Sequence, residues 1–269
     1  MSIKVGLIGQ GISASRSPAM HEAEGRRQGV DLCYDRFDTK DDHRSLSELL
    51  TTAQADGYAG LNITHPFKQS VIGLLDQTSD AARQIGSVNT VVFDGTKRIG
   101  HNTDCPGFAQ GFGEGLADAA LETVTLVGAG GAGLAVGFAL RDLGVQNLLI
   151  VDRDQGMAQT LAARLGTIAE AVPDMSHPTQ GFVNATPMGM ASYPGSAIPA
   201  NILTQDHWVA DIVYFPLETE LLRHARALGC ATLSGAGMAV HQAALSFELF
   251  TGQKADATQM RATFEAFTN

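Results

Sequence analysis

The sequence predicts an α/β protein of two domains with mostly parallel sheets. Three observations predict it. Strand-length apolar runs alternate with helical stretches along nearly the whole chain. The 269 residues are enough for two modest domains. One stretch, Thr123 to Asp152, reads as strand, glycine turn, helix, strand and acid. Hydrophobic content of 44% and charged content of 17% suit an ordinary globular chain.

That stretch is a βαβ unit of the kind that holds a dinucleotide, so the second domain is expected to be Rossmann-type. Its turn is Gly128-Ala129-Gly130-Gly131-Ala132-Gly133. Gly128 is expected to make the tight turn, Gly130 to let a pyrophosphate approach, and Gly133 to bring helix and strand together. The N–H groups at the helix start, with the helix dipole, favour phosphate. Asp152 lies about 20 residues past the last glycine, where an acid can accept from the adenosine ribose.

Taken in order, residues 4–8 read as a buried strand ending in Gly9-Gln10-Gly11. A polar segment, Ser13 to Ser17, leads to Pro18. Proline after a serine cap predicts a helix over 18–28, stopped by Gly29. Strand 33–37, helix 44–55 and strand 59–64 follow. His65-Pro66-Phe67-Lys68 ends that strand, and helices are expected over 68–75 and 79–85. Residues 87–93 read as a strand. Residues 99–104 read as a short strand and turn leading through Pro106 into a helix.

Beyond Asp152 the alternation continues. A helix is expected over 157–165 and a weak strand over 167–171. Strand 181–184 runs into Ala-Thr-Pro-Met-Gly-Met190, and a Gly, Pro and Ser-rich loop covers 191–199. Strand 208–213, helix 218–228 and strand 230–233 follow. Residues 234–237 open a helix to Phe250, and 257–267 form the last helix. Two helices without a following strand are expected to pack back on the first domain. This gives a first domain of 1–105 completed by 239–269 and a second domain of 106–238.

Composition excludes several classes. The net charge of −10 argues against a nucleic-acid surface. No apolar run approaches a membrane span or a signal peptide. Three scattered cysteines make a disulfide framework unexpected and suit the cytoplasm. The eight histidines form no ligand-spaced cluster, so no metal is expected, and His177, His207 and His224 read as surface or structural residues.

Ligands of open parallel sheets bind beyond the carboxyl ends of the strands. In the first domain that rule selects Ser13, Ser15, Ser17, Asn62, Thr64, Lys68, Asn89 and Asp104. In the second it selects 186–190, 211–214 and 235–242. Thr186, Met188, Val213, Gly235 and Met238 thereby join Asp152 and Arg153 as cofactor candidates. Small polar groups with one amine and one carboxylate suit a polyhydroxylated small molecule beside a redox cofactor. Oxidising an alcohol needs a group that takes the hydroxyl proton. Lys68 and Asp104 are the candidates, because a lysine beside a carboxylate can pass a proton with their summed charge near zero. Against this, Lys68 also reads as a surface lysine at a helix start, and Asp104 as a helix cap before Pro106.

Several motifs resemble those of the shikimate dehydrogenase family, and within it the quinate/shikimate dehydrogenase branch. Ser15-Arg16-Ser17-Pro18-Ala19-Met20-His21 resembles S-x-S-P-x-x-H, and Asn62-Ile63-Thr64-His65-Pro66-Phe67-Lys68 resembles N-[VI]-T-x-P-[FY]-K. Gly86-Ser87-Val88-Asn89-Thr90 and Gly100-His101-Asn102-Thr103-Asp104 are similar to G-A-V-N-T and G-x-N-T-D. Asn184 to Met190, Asp211-Ile-Val-Tyr214-Phe-Pro216, and Gly237-Met238 through Gln242 complete the series.

The resemblance implies that Ser15, Ser17 and Tyr214 hold a substrate carboxylate, and that Lys68 and Asp104 are the acid/base pair at a reacting C3 hydroxyl. It implies that Thr64, Asn89 and Gln242 bond the ring hydroxyls, and that substrate and cofactor meet in an active-site cleft between the two domains. The implied ligand is an anionic cyclohexene or cyclohexane carboxylate, turned over by a monomer or homodimer in aromatic amino acid biosynthesis or quinate catabolism.

Many biosynthetic members carry Asn-Arg-Thr where this chain has Asp152-Arg153-Asp154. Asp152 would repel a 2′-phosphate, which favours NAD; Arg153 keeps NADP open. Ala14 stands where the family often has histidine. Ser17 is the shikimate-like residue where quinate-leaning members often carry threonine. Two alternatives stand beside the dehydrogenase: a non-catalytic sensor of a dinucleotide or shikimate-like ligand, and a dehydrogenase of a related amino- or cyclohexene-carboxylate.

Overall fold

The structure, a computed structural model, describes residues 2–266. The chain divides into two compact units. One is the chain up to Thr103 together with the chain from Val240. The other is Asp104–Ala239.

The first unit begins β1 (Ile3–Gly9), α1 (Ser17–Gln28), β2 (Leu32–Asp38), α2 (Leu46–Ala55) and β3 (Tyr58–Ile63). It continues through a 3-10 turn (Ser70–Leu74), β4 (Gln77–Thr78), α3 (Asp80–Ile85), β5 (Thr90–Asp94) and β6 (Lys97–His101). The strand order is β2-β1-β3-β5-β6-β4. β1 pairs in parallel with β2 and β3, and β4 with β6. β5 runs antiparallel to β3 and β6. The expected parallel sheet therefore carries an inserted hairpin, β5–β6, closed by Gly95 at a φ of 58°.

Three local expectations are corrected. The cap of α1 is Arg16, with no side-chain bond; Ser17 already lies inside the helix, and the Ser15 hydroxyl accepts from its N–H at 3.3 Å. Only Ser70–Leu74 of the expected helix over 68–75 is helical, and as a 3-10 turn. The strand expected from 87 starts at Thr90, so Asn89 precedes it. In α2, by contrast, Ser45 and Glu48 bond each other's backbone N–H in a reciprocal capping box.

The second unit holds α4 (Asp104–Gly115), β7 (Thr123–Val127), α5 (Gly131–Asp142), β8 (Asn147–Val151), α6 (Gln155–Leu165) and β9 (Ala169–Ala171). β10 (Gly181–Asn184), β11 (Trp208–Asp211), α7 (Glu220–Ala227) and β12 (Ala231–Leu233) follow. Its sheet is parallel throughout, in the order β12-β11-β10-β7-β8-β9. Strand order reverses between β7 and β10, and in such sheets the crevice at the reversal is where ligands bind. α5 is buried along most of its length, as a helix packed on a sheet requires.

Last come α8 (Ala236–Thr251), within which the division of the units falls, and α9 (Ala257–Glu265). The expected helix end at Phe267 lies outside the described residues. Beyond Val240 both helices cover the first unit. Phe250 packs with Val5, Leu7, Ile12 and Tyr34, and Gly60 of β3 leaves room for its ring. Burial of each such ring contributes about 1.5–3 kcal/mol. Among the described residues no helix is long and apolar enough to cross a membrane.

Candidate active site

In the first unit the carboxyl ends of β1 and β3 lie side by side. Thr64 N donates to Ile8 O at 2.9 Å and Gln10 N to His65 O at 3.0 Å. This brings the start of the loop that leads to Ser15, and on to Ser17 at the head of α1, beside the start of the loop that carries Thr64 and Lys68. A third segment joins them: Val88 N donates to Lys68 O at 2.8 Å and Ile63 N to Asn89 O at 2.7 Å. The half-buried Thr64 and Lys68 and the buried Asn89 thus lie at one end of the neighbouring strands β3 and β5. Gln242, half-buried on α8, sits one turn before Ser246, whose hydroxyl lies 3.3 Å from His21 Nε2 on α1.

Asn89 is held on nearly every side. Its Oδ1 accepts from Thr103 N at 2.7 Å and Thr90 Oγ1 at 3.2 Å, and its Nδ2 donates to Thr103 Oγ1 at 2.8 Å. With both carbonyl lone pairs used, the side chain still offers an N–H and no acceptor. Asn62 backs this arrangement. It accepts from Tyr34 OH at 2.8 Å and donates to Thr90 Oγ1 at 3.1 Å. Asn62, singled out above as a ligand candidate, is 5% exposed and serves this network.

Two residues that the sequence left without a role support the serine loop. Arg16, 4% exposed, donates from Nη1 to Phe264 O at 2.9 Å and stacks over the Phe264 ring at 4.6 Å. It ties the loop to α9. His21 is fully buried against Tyr34, Phe247 and Phe250. Burial pushes its imidazole down to about 3, so it is neutral and packs.

In the second unit Asp104 opens α4 and is 4% exposed. It starts the helix itself, where a carboxylate suits the positive end of the dipole. The glycine turn follows β7. Gly128 has a φ of 105°, which needs glycine. A Cβ on Gly133 would lie 2.0 Å from the Gly128 carbonyl oxygen, so helix and strand touch there. Gly130 differs: its φ of −71° suits any residue, and a Cβ there would meet no protein atom within 4 Å. The protein itself sets no demand for glycine at 130.

Asp152 fastens this turn. Its Oδ2 accepts from Ala129 N at 2.7 Å and its Oδ1 from Asp154 N at 2.9 Å. Its half-buried side chain keeps further lone pairs for a ligand. Arg153 is exposed, and Asp154 caps α6.

Thr186, Met188 and Val213 lie just past β10 and β11, beside the reversal of strand order. Thr186 N and Oγ1 both donate to Asn184 Oδ1, at 3.0 and 2.7 Å. Gly235 fits against the backbone after β11, where a Cβ would come within 2.3 Å of Ile212 O. Met238 is nearly buried on α8, while Tyr214 is 37% exposed. The structure therefore collects Ser15, Ser17, Thr64, Lys68, Asn89 and Gln242 in the first unit. Asp104, Tyr214 and the cofactor candidates belong to the second. Among the described residues no group of three His, Cys, Asp or Glu could hold a metal.

Comparison with known proteins identifies the family. Residues 7–91 match the shikimate dehydrogenase substrate binding domain, and residues 235–263 the shikimate 5′-dehydrogenase C-terminal domain. A Corynebacterium efficiens protein named quinate/shikimate dehydrogenase (NAD(+)) is 52% identical, over 98% of each chain. A Streptomyces avermitilis shikimate dehydrogenase (NADP(+)) is 48% identical, over 97% of this chain and 94% of that one. The structure of quinate dehydrogenase from Corynebacterium glutamicum in complex with NAD superposes with a TM-score of 0.91 at 50% identity, covering 99% of both chains. A 5-ketofructose reductase of Gluconobacter superposes with a TM-score of 0.85 at 34% identity, over 100% of this chain and 99% of that one. Seven ordered motifs, two α/β units and relatives matched end to end agree: the chain belongs to the shikimate dehydrogenase family of NAD(P)-dependent oxidoreductases.

Proposed function

We propose that the protein is an NAD-preferring dehydrogenase that interconverts shikimate and 3-dehydroshikimate, and also quinate and 3-dehydroquinate, at the C3 hydroxyl. The observation that carries the reading is the 52% identity to a relative named quinate/shikimate dehydrogenase (NAD(+)). The turn around Gly130 supports dinucleotide binding, since open space over a glycine with no steric reason of its own suits a pyrophosphate. Gly128 to Gly133, Asp152, Thr186, Met188, Val213, Gly235 and Met238 would hold NAD, with Arg153 the residue most suited to NADP.

NAD, when bound, accepts hydride from the carbinol carbon. The chain supplies the rest. Residues 1–105 with 239–269 bind the substrate, and residues 106–238 bind the dinucleotide. Ser15, Ser17 and Tyr214 fix the carboxylate. Lys68 and Asp104 hold and move the proton at the C3 oxygen. Thr64, Asn89 and Gln242 orient the ring. Asn89 does so as a donor, because its carbonyl oxygen is already satisfied. The protein works in the cytoplasm as a monomer or homodimer, and its three free thiols suit that compartment.

A panel of shikimate and quinate, each with NAD and NADP, and of 5-ketofructose with NADH and NADPH, tests the proposal. Reduced nicotinamide formed from shikimate or quinate, faster with NAD, is the expected result. Turnover of none of them, with a dinucleotide still bound, would leave a sensor. Preference for 5-ketofructose would favour the second reading, a polyhydroxy-ketone reductase, which rests on the likeness to the Gluconobacter enzyme.

A further inference from the structure

Asp211 closes β11 with 1% of its surface exposed. Taking a carboxylate out of water costs several kcal/mol unless fixed dipoles replace the water. Its three partners are all neutral. Oδ1 accepts from Asn184 Nδ2 at 2.9 Å and from Val213 N at 3.0 Å; Oδ2 accepts from Thr219 Oγ1 at 2.7 Å. Burial nevertheless pushes the carboxyl up to about 6, so desolvation outweighs these bonds. A strand end that needed only packing would be better served by an apolar side chain.

Each partner belongs to a different segment. Asn184 Nδ2 also donates to Met188 O at 3.0 Å, while its Oδ1 takes both donors of Thr186. Every bonding position of that amide is used, so its orientation is fixed from both ends. Val213 N belongs to the turn after β11. Thr219 accepts from Leu222 N and caps α7. One buried carboxylate therefore anchors the loop carrying Thr186 and Met188, the turn carrying Val213 and the start of α7.

We propose that Asp211 is a positioning residue for the dinucleotide. Through Asn184 and the Val213 amide it holds the 186–188 loop and residue 213 in their binding arrangement. The proposal rests on the reading that Thr186, Met188 and Val213 contact NAD.

Titration of the full-length protein with NAD by calorimetry tests it, using Asp211→Ala, Asp211→Asn, Asn184→Ala and the Asp211→Ala/Asn184→Ala double variant. Asp211→Ala and Asn184→Ala should each weaken NAD by roughly tenfold or more. Their double variant should be little worse than either, because both break one chain of contacts. Asp211→Asn keeps the Oδ1 acceptor and turns an N–H toward the Thr219 hydroxyl, so it should recover most of the loss. In Asn184→Ala, which leaves the Asp211 bond to Val213 N in place, KM for shikimate at saturating NAD should stay within about twofold, a split that general loosening would not give. Wild-type affinity in folded Asp211→Ala, or penalties that simply add, would overturn the proposal. Should Asp211→Ala not fold, wild-type affinity in Asn184→Ala overturns it equally. Wild-type protein that binds no dinucleotide refutes the functional reading; wild-type binding with unaffected variants refutes the positioning role alone.

Discussion

Replacing Gly130 with alanine separates a demand of the ligand from a demand of the fold. A Cβ at 130 meets no protein atom within 4 Å, and φ −71° with ψ −171° is ordinary for alanine. Alanine caps α5 less well than glycine, a cost of about 0.5–1 kcal/mol. The stiffer unfolded chain returns about 0.4–1 kcal/mol. Free protein should therefore change stability by less than about 0.5 kcal/mol. NAD binding should weaken at least about tenfold, or 1.4 kcal/mol, because the new methyl occupies the space over the turn. Gly133→Ala is the contrast: its Cβ would lie 2.0 Å from Gly128 O, so the free protein should itself lose about 1–3 kcal/mol or more. Denaturant unfolding without ligand, followed by NAD titration, reads both quantities. Gly130→Ala that binds NAD with wild-type affinity would refute the assignment of this turn to a pyrophosphate.

Three further outcomes are expected. Lys68→Ala should keep NAD affinity and lower turnover by roughly 10²–10⁴-fold, the usual worth of a positioned acid/base group; near-normal kcat removes Lys68 from the chemistry. Asp211, raised from 3.8 to about 6, contributes stability that is full below its unfolded pKa and is lost as pH rises through the folded value. Relative to Asp211→Asn, the wild type should lose about 3 kcal/mol between roughly pH 4 and pH 7, measured by urea unfolding across that range; a constant difference contradicts the burial argument. Arg16→Met loses a charged hydrogen bond and a ring contact to Phe264, together about 2–3 kcal/mol. Its KM for shikimate should rise while NAD affinity holds, and an unchanged KM would show that the tether does not govern Ser15 and Ser17.

Local sequence announces what local sequence determines. The turn from Gly128 to Gly133 and the strands on either side of it follow from residues within one βαβ unit. The hairpin β5–β6 is equally local, and Asp94-Gly95 between apolar runs is its signal, masked by the alternation of strands and helices around it. Other features depend on partners far away in the chain. Nothing near Arg16 indicates that the Phe264 carbonyl will accept its hydrogen bond, so the segment reads as polar loop and serine cap. Asn62 looks like a ligand until Tyr34 and Thr90 occupy it. Asp211 stands inside a quoted motif, but its role needs the parallel register that sets Asn184 opposite it.

The cover of the first sheet is also a matter of timing. β1 to β6 leave the ribosome first, while Phe250 and Phe264 follow only after all of Asp104–Ala239. During that interval Val5, Leu7, Ile12 and Tyr34 lack the ring that closes over them. At roughly 5–20 residues per second the wait lasts on the order of ten seconds, long enough for an open apolar floor to meet chaperones or other nascent chains. The second unit has no such delay, because its strands and helices are contiguous. The protein is thus finished in an order opposite to its numbering: the inner segment closes first, and the segment that begins the chain closes last.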